Sequence, residues 1–183
     1  VLMLDPWGVY DLEQALCVGR ELEKLNFHFL EHPMLEARIE PYVRLCRELN
    51  IAICAPEMPG GNLYTRAEWI LRGASDISRT DVGHGGITPS RKIVEVCEAF
   101  GVKCEIHGGG WGNIQIHGAT SPRTVEYFER GLLHPDLNYE VPPPYLREIC
   151  DPMDQEGNVL IPQKPGLGMG INWDYIEANR VGR

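Results

Sequence analysis

Short apolar runs alternate with amphipathic stretches along this chain. The runs cover 1–4, 27–30, 51–55, 74–80, 102–106 and 124–128, each the length of a strand. Between them the apolar spacing shifts to the helical period. Leu12, Ala15, Leu16, Leu22 and Leu25 share one face over 11–25, and Ile39, Tyr42, Val43, Cys46 and Leu49 share one over 36–49. Asp11 with Gln14 reads as a capping box for the first helix. Thr65 with Glu68 caps a third, which carries Trp69, Ile70 and Leu71. Thr88 followed by Pro89 opens a fourth, with Ile93, Val94, Val96, Cys97 and Phe100 inside it. Asn26, Asn50 and Gly101 stand where helices should stop, as residues that tolerate a left-handed turn.

Strand and helix in alternation predict an α/β fold with a parallel sheet. The repeat is the sharper signal. An ionisable residue follows each apolar run: Asp5, Glu31, Glu57, Asp81, His107 and Glu129, at spacings of 22–26 residues. A strand, loop, helix and return loop needs roughly 25–35 residues. One such group therefore sits at the C-terminal end of each of six successive strands. An open sheet would spread the six along an edge; a (β/α) barrel brings them to one mouth. A full barrel has eight strands and about 250 residues. Six units are counted here, and Val1 opens directly in an apolar run, which reads as a cut inside the fold.

Composition narrows the partners. The chain has 183 residues, 43% of them apolar, enough for one domain with a real core. Its net charge is −9, so nucleic acid and anionic membrane surfaces are poor partners. No stretch reads as a membrane span or a signal peptide. Six cysteines are scattered without a CxxC pair, which suits a reduced, cytoplasmic chain better than a disulfide framework or a zinc site.

Asp5, Glu31 and Glu57 lie on three consecutive strands. A lone acid after a strand is ordinarily a cap or a solvated charge. Three at one mouth repel each other unless a cation sits between them, and hard oxygen ligands suit Mg²⁺, with Mn²⁺ as the second choice. Asp81 and His107 end the next two strands, in position to form an Asp–His general base. Glu129 would face the substrate from the last strand. His32 is a candidate support for Glu31 or merely polar, and His84 a candidate substrate contact; His28, His117 and His134 read as structural or surface residues. The stretches Gly83–Gly86 (with His84 inside) and Gly108–Gly112 (with Trp111 inside) could cradle a phosphate, but match no phosphate-loop or dinucleotide pattern. They read better as tight turns beside a pocket. A divalent ion and a histidine base at a barrel mouth suit removal of the proton α to a carboxylate, followed by reprotonation or by loss of a β-substituent.

The stretches Leu2-Met3-Leu4-Asp5, Phe29-Leu30-Glu31-His32-Pro33, Ala55-Pro56-Glu57, Asp81-Val82-Gly83-His84-Gly85-Gly86-Ile87-Thr88, Glu105-Ile106-His107 and Tyr127-Phe128-Glu129-Arg130 occur in order. So does a tail from Gly157-Asn158-Val159 to Pro165-Gly166-Leu167-Gly168. Taken together they resemble the enolase superfamily, in its mandelate racemase-like branch. The resemblance implies a single enolase-like C-terminal barrel domain over 1–183, with barrel units over about 1–135 and a closing tail over about 136–183. This would be strands three to eight of a modified TIM barrel, without the N-terminal capping domain and the first two strands. It implies Asp5, Glu31 and Glu57 as Mg²⁺ ligands, Asp81 and His107 as the catalytic dyad, and Glu129 as a helper to the intermediate or leaving group. Trp7 stands where the family often has Asn, and looks more like the branch's sugar-acid dehydratases. The expected activity is Mg²⁺-dependent dehydration of a small-molecule hydroxylated carboxylate. Racemisation or epimerisation of a 2-hydroxy acid is the alternative, and a barrel fragment with only a structural or binding role is another. A phosphate-binding barrel is a weaker rival. Barrels of this kind often associate as homo-oligomers.

Overall fold

The computed structural model describes residues 1–58, 62–110, 112–131, 134, 136 and 138–182. The first helix, α1 (Leu12–Lys24), begins as its local sequence dictates. Gln14 N–H donates to Asp11 Oδ1 at 2.8 Å, and Asp11 N–H donates to Gln14 Oε1 at 3.0 Å. Its buried face is Ala15, Leu16, Gly19 and Leu22. Asn26 then turns the chain at a φ of 56° into β1 (Phe29–Glu31). There follow α2 (Glu40–Glu48), β2 (Ala52–Cys54), α3 (Leu63–Leu71), β3 (Ile77–Thr80), α4 (Val82–Gly85), α5 (Ile87–Phe100), β4 (Lys103–Ile106), α6 (Asn113–Gly118) and, late in the tail, α7 (Trp173–Ala178).

The four strands form one parallel sheet in the order β1-β2-β3-β4. The outermost predicted strands are shorter than expected. Leu4 makes one parallel bridge to Leu30, and Phe128 one to Ile106. Among the described residues each has a partner on one side only. The run over 1–4 donates Leu4 N–H to Phe29 O at 3.2 Å and accepts at Leu2 O from His28 N–H at 2.7 Å, while Val1 and Leu2 stay exposed. With both bridges included, all six runs follow one another in spatial order.

Three helix starts depart from the sequence expectation, each for a local reason. α2 begins at Glu40 instead of 36, because the Glu36 carboxylate is bonded to the loop after β2. α3 is capped by Asn62, whose side chain accepts from Thr65 N–H at 2.8 Å, so Thr65 lies inside the helix and does not cap it. α5 begins at Ile87 after Gly86 at a φ of 90°, which puts Thr88 inside it and Pro89 in the first turn, where no helical N–H is lost. Gly101 closes α5 in the left-handed region as expected. Asn50 does not adopt it: the chain leaves α2 in extended form, and Asn50 N–H donates to Glu23 Oε1.

The helices pack on the sheet through two apolar clusters. Leu16, Leu30, Tyr42, Leu45, Ile53 and Trp69 fill one; Ile93, Cys97, Ile106 and Ile116 fill the other. The strands are buried along nearly their whole length, as parallel strands usually are. Yet β1, β3 and β4 bury Glu31, Arg79 and Glu105, charges that an apolar core has no use for. Among the described residues no helix is long and apolar enough to cross a membrane.

His117, on α6, packs edge-on against Phe128 at 5.2 Å, and its Nε2 has no hydrogen-bond partner among the described residues. Burial pushes its pKa down from 6.5 to about 4. Between those values the unfolded chain binds more protons than the folded one. The stabilisation is therefore complete above pH 6.5 and is lost as pH falls toward 4. Replacing His117 by Phe should flatten this acid limb, measured as the difference in Tm between pH 7 and pH 4.5.

Candidate active site at the strand ends

Parallel strands deliver the residues at their C-terminal ends to one edge of the sheet. Asp5 follows the Leu4 bridge and Glu31 closes β1. Glu57 lies beyond β2, past a cis Ala55–Pro56 bond. Asp81 and His107 directly follow β3 and β4, and Glu129 follows the Phe128 bridge.

These six residues form two neighbouring groups. Asp5, Glu31 and Glu129 line a cleft of about 910 Å³, together with Arg79 and Glu105. Arg79 is 3% exposed and reaches up between two strand ends. Its Nη2 rests against Glu31 Oε1 and donates to Glu129 Oε2 at 2.6 Å. Asp5 is more open, and its Oδ1 accepts from Trp7 N–H at 2.8 Å. That bond fixes a turn in which Trp7 has a φ of 55° and Gly8 one of 75°. Gly8 lies so close to the His32 ring that an added Cβ would come within 3.1 Å of Nε2.

Glu57 does not line this cleft. Its two oxygens are taken by histidines, with His32 Nδ1 at 2.6 Å from Oε2 and His107 Nε2 at 3.0 Å from Oε1. His107 Nδ1 is 3.2 Å from Asp81 Oδ2. Asp81 Oδ1 accepts from Gly83 N–H at 2.7 Å and from Asn113 Nδ2 at 3.0 Å. Asn113 also donates to His107 O and accepts from Val82 N–H, each at 2.8 Å. Asp81, His107 and Glu57 thus form one hydrogen-bonded run. His84 stacks on His107 with ring centroids 6.1 Å apart.

The protonation preferences stem from this crowding. Burial pushes Glu31 up to about 8; Arg79 opposes this, but Asp5, Glu129 and Glu57 add to it. Partial desolvation raises Asp5 as well, with Glu57 adding to the effect against the Trp7 N–H. Burial also lifts Glu105, to about 7. Glu57 goes the other way: burial resists, but His107 and His32 together hold it well below the usual carboxylate range. Asp81 is brought down to about 2, because His107, Asn113 and Gly83 outweigh its burial. His107 is raised to about 10 by Asp81 and Glu57.

Among the described residues no three His, Cys, Asp or Glu side chains are grouped to hold a metal ion as they stand. The donor chemistry still suits a hard cation. Buried Glu31 Oε1 accepts no well-directed hydrogen bond from the described residues. Glu57 disfavours the charged form of Asp5, and Asp5 and Glu57 that of Glu31, the condition that a divalent ion relieves. The oxygens of these three could hold Mg²⁺ if Glu57 turned from the histidines.

The glycine stretches serve packing and turning. Gly83 and Gly85 belong to α4, which leads into α5. Gly108, Gly110 and Gly112 have φ values of 69°, 73° and 98°. A Cβ on Gly109 would meet Asp151 and the Glu129 carbonyl at 3.2 and 3.4 Å. Trp111 lies outside the described residues. His28 packs between Phe29 and Tyr127, while His134 is exposed beside Asp136. The apolar and acidic pattern of the sequence does not single out Arg79, Asn113 or Glu105. A charged residue inside a buried strand is the available signal for Arg79 and Glu105; Asn113 offers none.

Known proteins share this sequence pattern and fold. Residues 1–175 match the family described as enolase C-terminal domain-like. Arabinonate dehydratase of Saccharolobus solfataricus is 32% identical over 185 residues, covering 96% of this chain and 46% of that protein. L-talarate/galactarate dehydratase of Salmonella typhimurium is 32% identical over 173 residues, covering 93% and 40%. The crystal structure of D-glucarate dehydratase from Agrobacterium tumefaciens, complexed with magnesium, superposes with a TM-score of 0.94 at 44% identity. It covers 99% of this chain and 47% of that one. The chain thus spans about half the length of the relatives it matches. On the family match and these identities, the chain belongs to the enolase C-terminal domain-like family, within the enolase superfamily.

Proposed function

We propose that the protein carrying this chain removes the proton α to the carboxylate of a hydroxylated acid of the sugar-acid class and then eliminates water. The observation that carries this reading is the run Asp81···His107···Glu57 beside a cleft lined by Asp5, Glu31 and Glu129. The similarity to arabinonate, talarate/galactarate and glucarate dehydratases supports the substrate class. The six strand positions from Leu4 to Phe128 support reading the chain as strands three to eight of an eight-stranded barrel.

His107 is the base in this reading. Asp81 accepts from Nδ1, which fixes the tautomer and leaves Nε2 as the proton acceptor. With Glu57 also bound to Nε2 the ring is held protonated, so base action requires Glu57 to turn its oxygen elsewhere. Asp5, Glu31 and Glu57 would hold Mg²⁺, with Mn²⁺ as the ion the same oxygen set would also accept; the ion supplies positive charge against the substrate carboxylate, which gains electron density as the α-proton leaves. His107 Nε2 takes that proton and becomes imidazolium, which Asp81 stabilises. The electron pair released from the C–H bond then forms the Cα=Cβ bond as the β-hydroxyl departs. The imidazolium returns its proton to the leaving oxygen, so water is released and an enol of a 2-oxo-3-deoxy acid is left. Arg79 holds Glu129 across the cleft, where that carboxyl assists the intermediate or the leaving group.

Two outcomes test this. Mg²⁺ at about a hundred times its Kd should stabilise the protein by about 2.7 kcal/mol, seen as a rise in Tm. Glu31→Gln should abolish the rise, and an undiminished rise in that variant counts against the metal site. Incubated with a panel of acid sugars in D₂O, the protein should exchange the α-proton and release 2-oxo-3-deoxy acids, followed by proton NMR. His107→Asn should slow that exchange by about 10²–10⁴-fold. Exchange at the unaltered rate would remove His107 from the mechanism.

A further inference from the structure

Glu57 lies where the chain has left the sheet. The β2–β3 ladder pairs Cys54 with Ile77, and the last sheet-like bond runs from Ala55 N–H to Ile77 O at 2.9 Å. Beyond it Glu57 is buried and its peptide groups need partners of their own, while Met58 is already exposed. Two charged side chains supply them from opposite sides. Glu36, 8% exposed, accepts from Glu57 N–H at 2.9 Å and 2.8 Å through its two oxygens, and from Met58 N–H at 2.7 Å. Arg66, on α3 and 1% exposed, donates from Nη2 to Glu57 O at 3.0 Å and from Nε to Arg79 O at 2.9 Å.

We infer that Glu36 and Arg66 are positioning residues that set the Glu57 carboxylate. One grips its N–H and the other its C=O, so the residue cannot slide along the loop or rotate about it. The two charges also attract each other across the peptide they hold. A buried charged pair is a weak device for stability, and apolar side chains of similar volume would serve a core as well. Its geometry here has a different product: Glu57 is presented so that both its oxygens meet a histidine. Arg66 ties a second site residue into the same frame, since the Arg79 carbonyl it binds belongs to the residue whose side chain holds Glu31 and Glu129. The relevance of this frame to catalysis rests on the proposed function; the frame itself does not.

The test therefore uses readouts that need neither metal nor substrate. In the unaltered protein the proton between His32 Nδ1 and Glu57 should resonate far downfield of other imidazole protons, as short charge-assisted bonds do. The amides of Glu57 and Met58 should exchange at least about 100-fold more slowly than unprotected amides. Glu36→Gln leaves one acceptor oxygen and no charge. Arg66→Lys leaves one donor head that cannot fork to two carbonyls. Each should speed exchange at residues 57 and 58 at least about tenfold and broaden the downfield signal away. Ile93→Ala, in the other apolar cluster, should lower Tm yet leave signal and amides unchanged. Retention of both features in Glu36→Gln and Arg66→Lys overturns the inference, as does their equal loss in Ile93→Ala. If neither the Glu36 nor the Arg66 variant folds, the unaltered protein decides, since unprotected amides at 57 and 58 overturn it and protected ones support it. Loss of Mg²⁺ protection with these features intact counts against the proposed function alone.

Discussion

Negative charge in excess of its local partners is the constraint on which this structure turns. Asp5, Glu31, Glu57 and Glu129 arrive at one edge because parallel strands leave no other place for them. Two unit charges 4 Å apart repel by about 4 kcal/mol at an effective dielectric of 20. Arg79 meets part of that load by touching Glu31 and Glu129 together, and the strands bury it to do so. His32 and His107 meet another part by taking both oxygens of Glu57. The contrast between the carboxylates has this origin. Glu57, with two imidazole partners, is held ionised, whereas Glu31, with one shared guanidinium, is driven toward its neutral form. A divalent cation would meet the remainder, and this is the physical case for a metal at the site.

Local and periodic features are the ones legible in the sequence. The Asp11–Gln14 box spans four residues and forms as written. The six ionisable residues are visible because each recurs at the same place in a repeating unit, and the sheet order preserves that place. Asn62 and Thr65 are harder to separate, since either can cap and they are three residues apart; the backbone at Asn62 is extended and takes the role. Arg79 pairs with Glu129 across fifty residues of sequence and Asn113 with Asp81 across thirty-two, and no periodicity marks such partners. The end strands shorten to bridges for a related reason. Apolar alternation indicates that a run can pair, whereas its length in the sheet depends on how many neighbours are present to pair with it.

The two halves of the site are held by different means. The Asp81–His107 pair is fixed by a neutral side chain: Asn113 binds the Asp81 carboxylate, the His107 carbonyl and the Val82 N–H at once. Being uncharged, it adds no field that would compete with Asp81 for the imidazole proton. Glu57 is instead fixed by charged groups, whose hydrogen bonds go to its peptide and not to its carboxylate. Neither arrangement puts a further charge on the His107 ring or a further hydrogen bond on the Glu57 carboxylate. Asp81 and Glu57 already set the basicity of His107, and His32 and His107 already take the Glu57 oxygens, so a further charge or donor there would compete with them. Orientation is thus supplied through main-chain atoms or neutral amides, while the charges of the site face one another.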